Sequence, residues 1–379
     1  MPILQFMPWC PIDKTYFVGD ITIIPFCRDE TIEGVDKSTT CQILASYKDL
    51  EGKPVGKAAL VLYGNRPLLA DLSDDELDIT DECVTLACFC GLAKREYFNQ
   101  LGPYCNADCF TLYRQKFDSL DFVSIISRRR EGRTQEGRPL RKTCFSIPVH
   151  VSPVERVTLD EKLLQALVAL RQSSSDDEWS RWQNAISCFN WANTDNDAIH
   201  YQVEWVLLCS AFEHILEAEP KAEDVAKRFT DALIPSTSLS VRAKRHATQK
   251  QRDPNKPLRY EWMKEFYRIR GDFAHGRLKT RQPAMWNPRE HIVLATIVFP
   301  LLVRCLLSRR KHYELTEEDR AQVNAFEKLA DEQFLKPPQN QKSSIDSVWS
   351  RLRSDEESKL RWQGLEQELM NCHSKPGRT

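Results

Sequence analysis

The pattern of apolar residues changes near residue 153, and this change constrains the fold more than any other feature of the sequence. Residues 1–153 contain short runs of β-branched and aromatic residues separated by glycine, proline and aspartate, which is typical of β-strands. After Pro153 the apolar residues recur with the period of amphipathic helices. The sequence therefore predicts an α+β chain, with a β-rich domain over residues 1–153, an all-α domain over residues 154–335 and a charged C-terminal tail over residues 336–379.

Six runs in the first domain are predicted to be strands, and one helix is expected to interrupt them at residues 81–98. The strands are expected at residues 16–25, 40–47, 58–63, 109–113, 122–127 and 143–150. Residues 128–142, between the last two strands, carry seven basic and two acidic residues, which predicts an exposed loop. That loop is interpreted either as a phosphate-contacting arm or as an ordinary solvated hairpin. The domain itself is assigned a sensor or substrate-recognition role.

Polar residues mark where helices of the second domain begin. The polar run at residues 173–177 ends one amphipathic helix and offers a cap to the next. Asn287, Pro288 and Glu290 form a second start signal, because Asn suits the N-cap, Pro the first helical position and Glu a capping box. The sequence therefore predicts a bundle of separate helices in this domain.

The composition bounds the class of protein. With 379 residues, 41% hydrophobic and 28% charged, the chain resembles soluble globular proteins of two domains. Its net charge of −1 excludes a uniformly basic nucleic-acid coat, so any RNA binding has to be local. The first residues lack the features of a signal peptide, which favours the cytoplasm. The apolar run at residues 292–303 is shorter than the ~20 residues that span a bilayer and predicts a buried helix, so no membrane partner is expected.

Thirteen cysteines, an odd number scattered through apolar segments, indicate a reducing compartment rather than a disulfide framework. Five of them cluster without the paired C-x2-C spacing of common zinc sites: Cys83, Cys88, Cys90, Cys105 and Cys109. We interpret them as small buried apolar residues and expect neither a metal nor a cofactor.

Residues 267–276 carry the side chains best suited to chemistry. They end a helical pattern whose apolar stripe is formed by Trp262, Phe266, Ile269 and Phe273. Arginine binds phosphate through two parallel hydrogen bonds and histidine exchanges protons near neutral pH, so Arg268, Arg270 and His275 suit phosphodiester chemistry. On an ideal helix His275 projects beside Arg268, whereas Arg270 lies about 140° away. The alternative is that both arginines form a solvated ion-pair face with Asp272, and that His275 is an ordinary residue at a helix end.

The pattern Y-x-x-R-x4-H-G at these residues resembles the HEPN superfamily, and within it the ApeA-like branch. Segments at residues 189–195 and 205–216 resemble the first two helices of that branch, so the resemblance covers roughly residues 155–313. It implies a metal-independent ribonuclease whose composite site forms across a dimer, with Arg270 and His275 as the catalytic pair. The residue after the motif arginine is usually polar in the family and is Gly271 here, which leaves Arg268 as an alternative.

Glu213 and His214 lie within the second of those segments. Adjacent residues of a helix point about 100° apart, so at most one of the two faces any site. Both are interpreted as structural.

A basic segment precedes the motif helix. Residues 235–259 contain one acid, Asp253, against several bases, of which the candidates for RNA binding are Arg242, Lys244, Arg245, Lys250 and Arg252. The alternative is a solvated surface loop whose lysines only keep it soluble.

Two hypotheses about function follow. In the first, the protein is an endoribonuclease of stress response or antiphage defence that cleaves single-stranded or looped RNA, with His275 as general acid or base and Arg270 stabilising charge on the phosphate. In the second, the helical domain dimerises or holds RNA without catalysis, and the N-terminal domain binds a ligand or protein trigger. A homodimer through the helical domain is expected, because transesterification uses one group that takes a proton and another that gives one.

Overall fold

A computed structural model of the chain describes residues 3–28, 37–68, 70–97, 104–119, 122–139, 144–151, 154–234, 256–274 and 284–331. In these residues a β-rich N-terminal region is followed by a helical C-terminal region, which confirms the predicted α+β class. Contacts divide the chain into two compact units. Unit 1 is Met1–Arg95 with Pro103–Leu207, and unit 2 is Glu96–Gly102 with Leu208–Thr379. The predicted tail, residues 336–379, lies outside the described residues.

Unit 1 is built on a seven-stranded antiparallel sheet of order β2-β3-β5-β1-β6-β7-β8, and a short parallel pair joins β4 to β9. The elements are, in chain order, β1 (Ile3–Met7), β2 (Tyr16–Val18), β3 (Ile21–Cys27), α1 (Lys37–Leu44), β4 (Tyr47–Lys48), β5 (Lys57–Tyr63), α2 (Asp74–Leu92), β6 (Tyr113–Ser119), β7 (Phe122–Arg129), β8 (Gly132–Pro139) and β9 (Phe145–Ser146).

Strand β1 lies in the middle of this sheet, between β5 and β6. All five of its residues are buried, and because successive side chains point to opposite faces, both faces of the sheet are covered there. At the edge, β2 and β3 form a hairpin in which Val18 pairs with Ile21. Gly19, the first residue of the two-residue turn, has φ of 57°, a conformation that glycine adopts without steric cost.

Four of the six predicted strands differ from the structure in whole or in part. Residues 16–25, predicted as one run, form the β2–β3 hairpin instead. Residues 40–47 are mostly helix α1, in which Thr40, Ile43 and Leu44 are buried at helical spacing, and only Tyr47 is in a strand. Residues 109–113 begin inside a 3₁₀ turn, Ala107–Phe110, because the Asn106 side chain accepts a hydrogen bond from the Cys109 N–H and caps it. At residues 40–47 and 109–113 the sequence prediction gave more weight to β-branched and aromatic residues than to the signals for a helical turn.

The helix predicted at residues 81–98 both starts and ends earlier than expected, running from Asp74 to Leu92. Ser73 caps it and forms a capping box with Glu76, so the acidic residues 74–76 form the first turn. The strand predicted at residues 143–150 is confined, among the described residues, to β9.

Residues 128–142 form no loop where the structure describes them. Strands β7 and β8 run to a tight turn at Arg130 and Glu131 and pair along their full length. The Arg133 guanidinium lies 2.5 Å from Asp78 and 3.3 Å from Asp74 and Asp81, all on α2. These carboxylates neutralise Arg133, which favours the hairpin interpretation over a phosphate-contacting arm at this residue.

The helices that follow are α3 (Glu161–Ser173), α4 (Asp176–Trp191), α5 (Tyr201–Leu216), α6 (Ala222–Ala232), α7 (Leu258–Ala274), α8 (Pro288–Arg309) and α9 (Glu317–Asp331). Ser175 caps α4, and Asn287 caps α8 with Glu290 in a capping box, as the sequence predicts. The helices begin after residue 153 as expected, but α3 and α4 pack on α2 and belong to unit 1, and the two units divide within α5. The predicted domain bounds stay a prediction.

The core of unit 2 is aromatic and centres on α7. The predicted stripe of this helix is buried, and Trp262 and Phe266 are fully inaccessible. Their rings stack with centroids 5.5 Å apart, and the edge of Phe326 meets Trp262 at 5.4 Å. Phe212 of α5 packs edge-on against Phe266 and Phe299. Because this stripe of α7 faces the aromatic core, only the other sides of the helix remain for further contacts.

Helix α8 is the one helix in the described part of the chain that is long and apolar enough to cross a membrane. However, 83% of its most apolar stretch is buried inside the protein, as in the core helix of a soluble protein. It continues through Pro300 without a break. The predicted buried helix at residues 292–303 is confirmed.

Candidate active site

The Arg270 side chain is held near the C-terminal end of α7 by two residues. Its Nη1 donates to the Tyr267 hydroxyl at 3.0 Å, and its Nη2 lies 3.3 Å from Glu213 Oε2. The Tyr267 hydroxyl in turn donates to the same Glu213 oxygen at 2.9 Å. The guanidinium also lies over the Tyr267 ring, 5.2 Å from its centroid. These three residues form the Glu213–Tyr267–Arg270 cluster, which lies within unit 2.

The local sequence explains how the cluster forms. Tyr267 and Arg270 are three residues apart, which places them on one side of α7. Glu213 comes from α5, one residue after the buried Phe212 that packs against α7, and therefore reaches the same side. His214, the next residue, is exposed. At most one of this Glu-His pair was expected to face a site, and Glu213 is the one that contacts Arg270.

Tyr267 acts as a neutral bridge. Burial raises the pKa of its phenol, and the hydrogen bond to Glu213 raises it further, so the hydroxyl keeps its proton at neutral pH. It can therefore donate to Glu213 while it accepts from Arg270. Glu213 and Tyr267 were not among the predicted catalytic residues. The three-residue spacing to Arg270 was a local signal for Tyr267, whereas no local signal pointed to Glu213.

Arg270 keeps hydrogen-bonding capacity beyond these contacts. A guanidinium has five N–H donors, and the cluster uses one on each terminal nitrogen. The Nε is shielded from solvent and has no hydrogen-bond partner among the described residues. With 29% of its side chain exposed, Arg270 can still meet a ligand from solvent.

Arg268, the alternative arginine, lies on a different face of the same helix. Two residues of a helix are about 200° apart, and α7 is helical from Leu258 to Ala274. Arg268 is half-buried and has interactions of its own. The two arginines therefore cannot serve one site from a single α7, and the choice between them depends on where His275 lies.

Several predicted site residues lie outside the described residues. His275 follows the last described residue of α7 directly. The RNA-binding candidates Arg242, Lys244, Arg245, Lys250 and Arg252 all fall between residues 235 and 255, which are also outside them. The pairing of His275 with either arginine, and the role of the basic segment, stay predictions.

Glu265 ties α7 to the start of α8. Its carboxylate accepts hydrogen bonds from the backbone N–H groups of Met285, at 2.8 Å, and Trp286, at 3.1 Å. It also contacts Nε2 of the fully buried His291 at 3.0 Å. The Glu265 carboxylate thus anchors the start of α8 to α7.

The Glu265 carboxylate is expected to contribute stability that depends on pH. Burial alone raises its pKa, but the His291 hydrogen bond and charge, with the N–H groups of Met285 and Trp286, outweigh burial and leave the pKa below 4.5. A carboxyl with a lowered folded-state pKa stabilises the protein above its unfolded-state pKa, and this stability is lost as pH falls through the folded pKa. Glu265→Gln should lower the free energy of unfolding by about 1–3 kcal/mol at neutral pH and by less in acid.

Chemical denaturation of this variant over roughly pH 3 to 8 measures the effect. Glu314→Gln is the matched control, because Glu314 is an exposed residue of the same unit. A difference between Glu265→Gln and the unaltered chain that stayed constant across the range would contradict this account.

The clustered cysteines are buried thiols. Burial raises the pKa of Cys105 to about 12 and that of Cys109 to about 11, so both stay protonated at neutral pH. Within the described residues, no group of three His, Cys, Asp or Glu side chains is placed to hold a metal ion.

No protein-family model, curated protein or solved structure matches the chain. The function therefore has to be inferred from the site itself.

Proposed function

We propose that the protein is a metal-independent endoribonuclease that cleaves single-stranded or looped RNA in the cytoplasm, as an effector of stress response or antiphage defence. The observation that carries the proposal is the Glu213–Tyr267–Arg270 cluster, which holds a partly exposed guanidinium five residues before His275. The likeness of residues 155–313 to the HEPN superfamily supports the same activity.

In the proposed reaction the 2′-hydroxyl of one nucleotide attacks the adjacent phosphorus, and the bond to the 5′-oxygen of the next nucleotide breaks. His275 takes the proton from the 2′-hydroxyl or gives one to the leaving oxygen. Arg270 stabilises the negative charge that develops on the phosphate oxygens. Tyr267 and Glu213 keep the guanidinium in place, so that it need not be ordered when RNA binds.

One histidine cannot both take and give a proton in the same step. A symmetric homodimer through the helical domain supplies two, because a twofold axis places the same patch of each protomer opposite itself. The basic residues of segment 235–259 are proposed to gather RNA phosphates near the cleft between the two protomers. A ligand or protein trigger is proposed to act through the N-terminal domain, residues 1–153.

A second candidate function is a non-catalytic dimerisation and RNA- or ligand-binding module. The observation that favours it is that Glu213 and Tyr267 already give Arg270 a counter-charge and a hydrogen-bond partner, as in a structural ion pair. The two functions differ in one measurable respect, which is whether RNA is cut.

The deciding experiment is RNA cleavage by the purified full chain in EDTA. We expect cleavage to persist in chelator and to fall by at least about a hundredfold in His275→Ala. His214→Ala is the matched control, because His214 is an exposed histidine of the same unit, and it should cleave at the unaltered rate. Cleavage that disappears in EDTA, or that survives in His275→Ala, would reject the proposal. RNA binding without any cleavage would select the non-catalytic module.

A further inference from the structure

Unit 1 contains a cavity at the C-terminal end of α2, which we call the α2 cavity. It contains about 280 Å³ of space, part of it open to solvent. Three of its nine lining residues are cations, Lys94, Arg95 and Arg156, and none is acidic. The whole chain has 53 lysines and arginines against 54 acids, so this local excess is not a property of the general surface.

The three cations come from two distant segments of the chain. Lys94 and Arg95 follow Ala93, the C-cap of α2, where the negative end of the helix dipole favours cations. Arg156 belongs to a separate segment that is fixed in place, because Val157 forms a bridge with Ile12. The dipole of α2 explains the first two cations, whereas it does not require a third from another part of the chain.

The cations differ in how tightly they are held. Arg95 is 6% exposed, donates a hydrogen bond to the Asn193 amide oxygen, and packs over the Tyr104 ring at 5.4 Å. It therefore forms a fixed part of the wall. Lys94 and Arg156 are exposed at the rim, and the described residues give neither side chain a hydrogen bond or an ion pair. These two side chains are free to close on a bound anion.

The other polar groups of the lining are already occupied. The Tyr104 hydroxyl donates to Asp195 at 3.0 Å, and the Thr158 hydroxyl donates to Asp13 at 3.1 Å. Cys105 is a buried neutral thiol, since burial raises its pKa to about 12. The lining itself thus contains three cations and no carboxylate, while Asp195, just behind Tyr104, interacts with the charge of Arg95, so Lys94 and Arg156 are the cations left to meet an anion.

We propose that the α2 cavity binds the phosphate group of a small phosphorylated ligand. One fixed guanidinium at the wall and two exposed cations at the rim match a dianion, which several charge-assisted hydrogen bonds hold better than one. Because part of the cavity's space is open solvent, the enclosed room is far smaller than the roughly 300–1,000 Å³ of typical small-molecule pockets, so the phosphate group would bind at the open rim and the rest of the ligand would lie in solvent. This inference is independent of the ribonuclease proposal, because it uses residues of unit 1 alone.

Calorimetric titration of the full chain with inorganic phosphate and with a nucleoside 5′-monophosphate, at constant ionic strength, tests the proposal. We expect saturable binding, and at least about tenfold weaker binding by the double variant Lys94→Gln/Arg156→Gln. The matched control is Lys57→Gln/Lys162→Gln, which removes two exposed charges of unit 1 away from the cavity and should bind as the unaltered chain does.

Tighter binding of the monophosphate would identify a phosphate ester as the ligand, and equal binding would identify free phosphate. Both results support a phosphate site. No saturable binding of either probe, or equal weakening in the two double variants, would overturn it. Because all four altered residues are exposed, thermal transitions of the variants should match that of the unaltered chain.

Discussion

Arg270→Ala is expected to slow RNA cleavage by at least about a hundredfold, because it removes the preorganised donor that stabilises charge on the phosphate. The loss should appear at saturating RNA, since the interaction strengthens in the transition state. The thermal transition should change little, because the side chain is 29% exposed and Glu213 keeps the Tyr267 hydroxyl as its donor. Single-turnover cleavage and thermal unfolding of the same preparation measure both effects.

Arg268→Ala is the matched control, since it removes the same kind of side chain two residues earlier on α7. It should cleave RNA at close to the unaltered rate. If Arg268→Ala were inactive and Arg270→Ala active, the face of α7 that carries Arg268 would be the catalytic one, and Arg270 would be structural. Arg270→Lys separates charge from geometry, because lysine keeps the charge but cannot form the two-pronged contact.

Trp262→Ala is expected to lower the free energy of unfolding by about 3–5 kcal/mol, the range for deleting a large buried aromatic side chain. Trp262 is fully buried and touches the rings of Phe266, Phe229 and Phe326. Its removal opens a cavity among rings that cannot collapse without leaving their rotamers. Urea denaturation followed by circular dichroism gives the difference.

Trp191→Ala provides the control for this substitution, because the Trp191 side chain is 59% exposed. We expect it to change the unfolding free energy by about 0.5 kcal/mol or less. Equal effects of the two substitutions would mean that Trp262 does not hold unit 2 together.

The helical part of the fold was predictable because its signals are local. A capping residue and the spacing of apolar residues lie within one or two turns, so the polar run at residues 173–177 and Asn287 marked helix starts that the structure confirms. The N-terminal region was harder, because β-branched residues suit both a buried helix face and a strand. Thr40 and Ile43 show this, since both are buried on α1 where a strand was expected.

The candidate site was predictable only in part. Arg270 could be singled out only as the arginine of the Y-x-x-R-x4-H-G pattern, since the geometry of a regular helix pairs His275 with Arg268; Tyr267 lies within one helical turn of Arg270. Glu213 could not be placed there, because its contact with Tyr267 joins residues 54 positions apart and depends on how α5 packs on α7. For the same reason the three carboxylates that surround Arg133 were invisible in the sequence. Contacts set by tertiary packing leave no local signal.

The central position of β1 has a consequence for synthesis of the chain on the ribosome. Gln5 pairs with Val61 on one side, and Ile3 pairs with Lys116 on the other. At roughly 5–20 residues per second, the second partner follows β1 on the order of ten seconds later. During that interval five apolar-rich residues that end up fully buried have at most one neighbouring strand. The nascent chain is therefore exposed to aggregation at this strand until β6 emerges, and a chaperone that binds β1 during this interval would protect it.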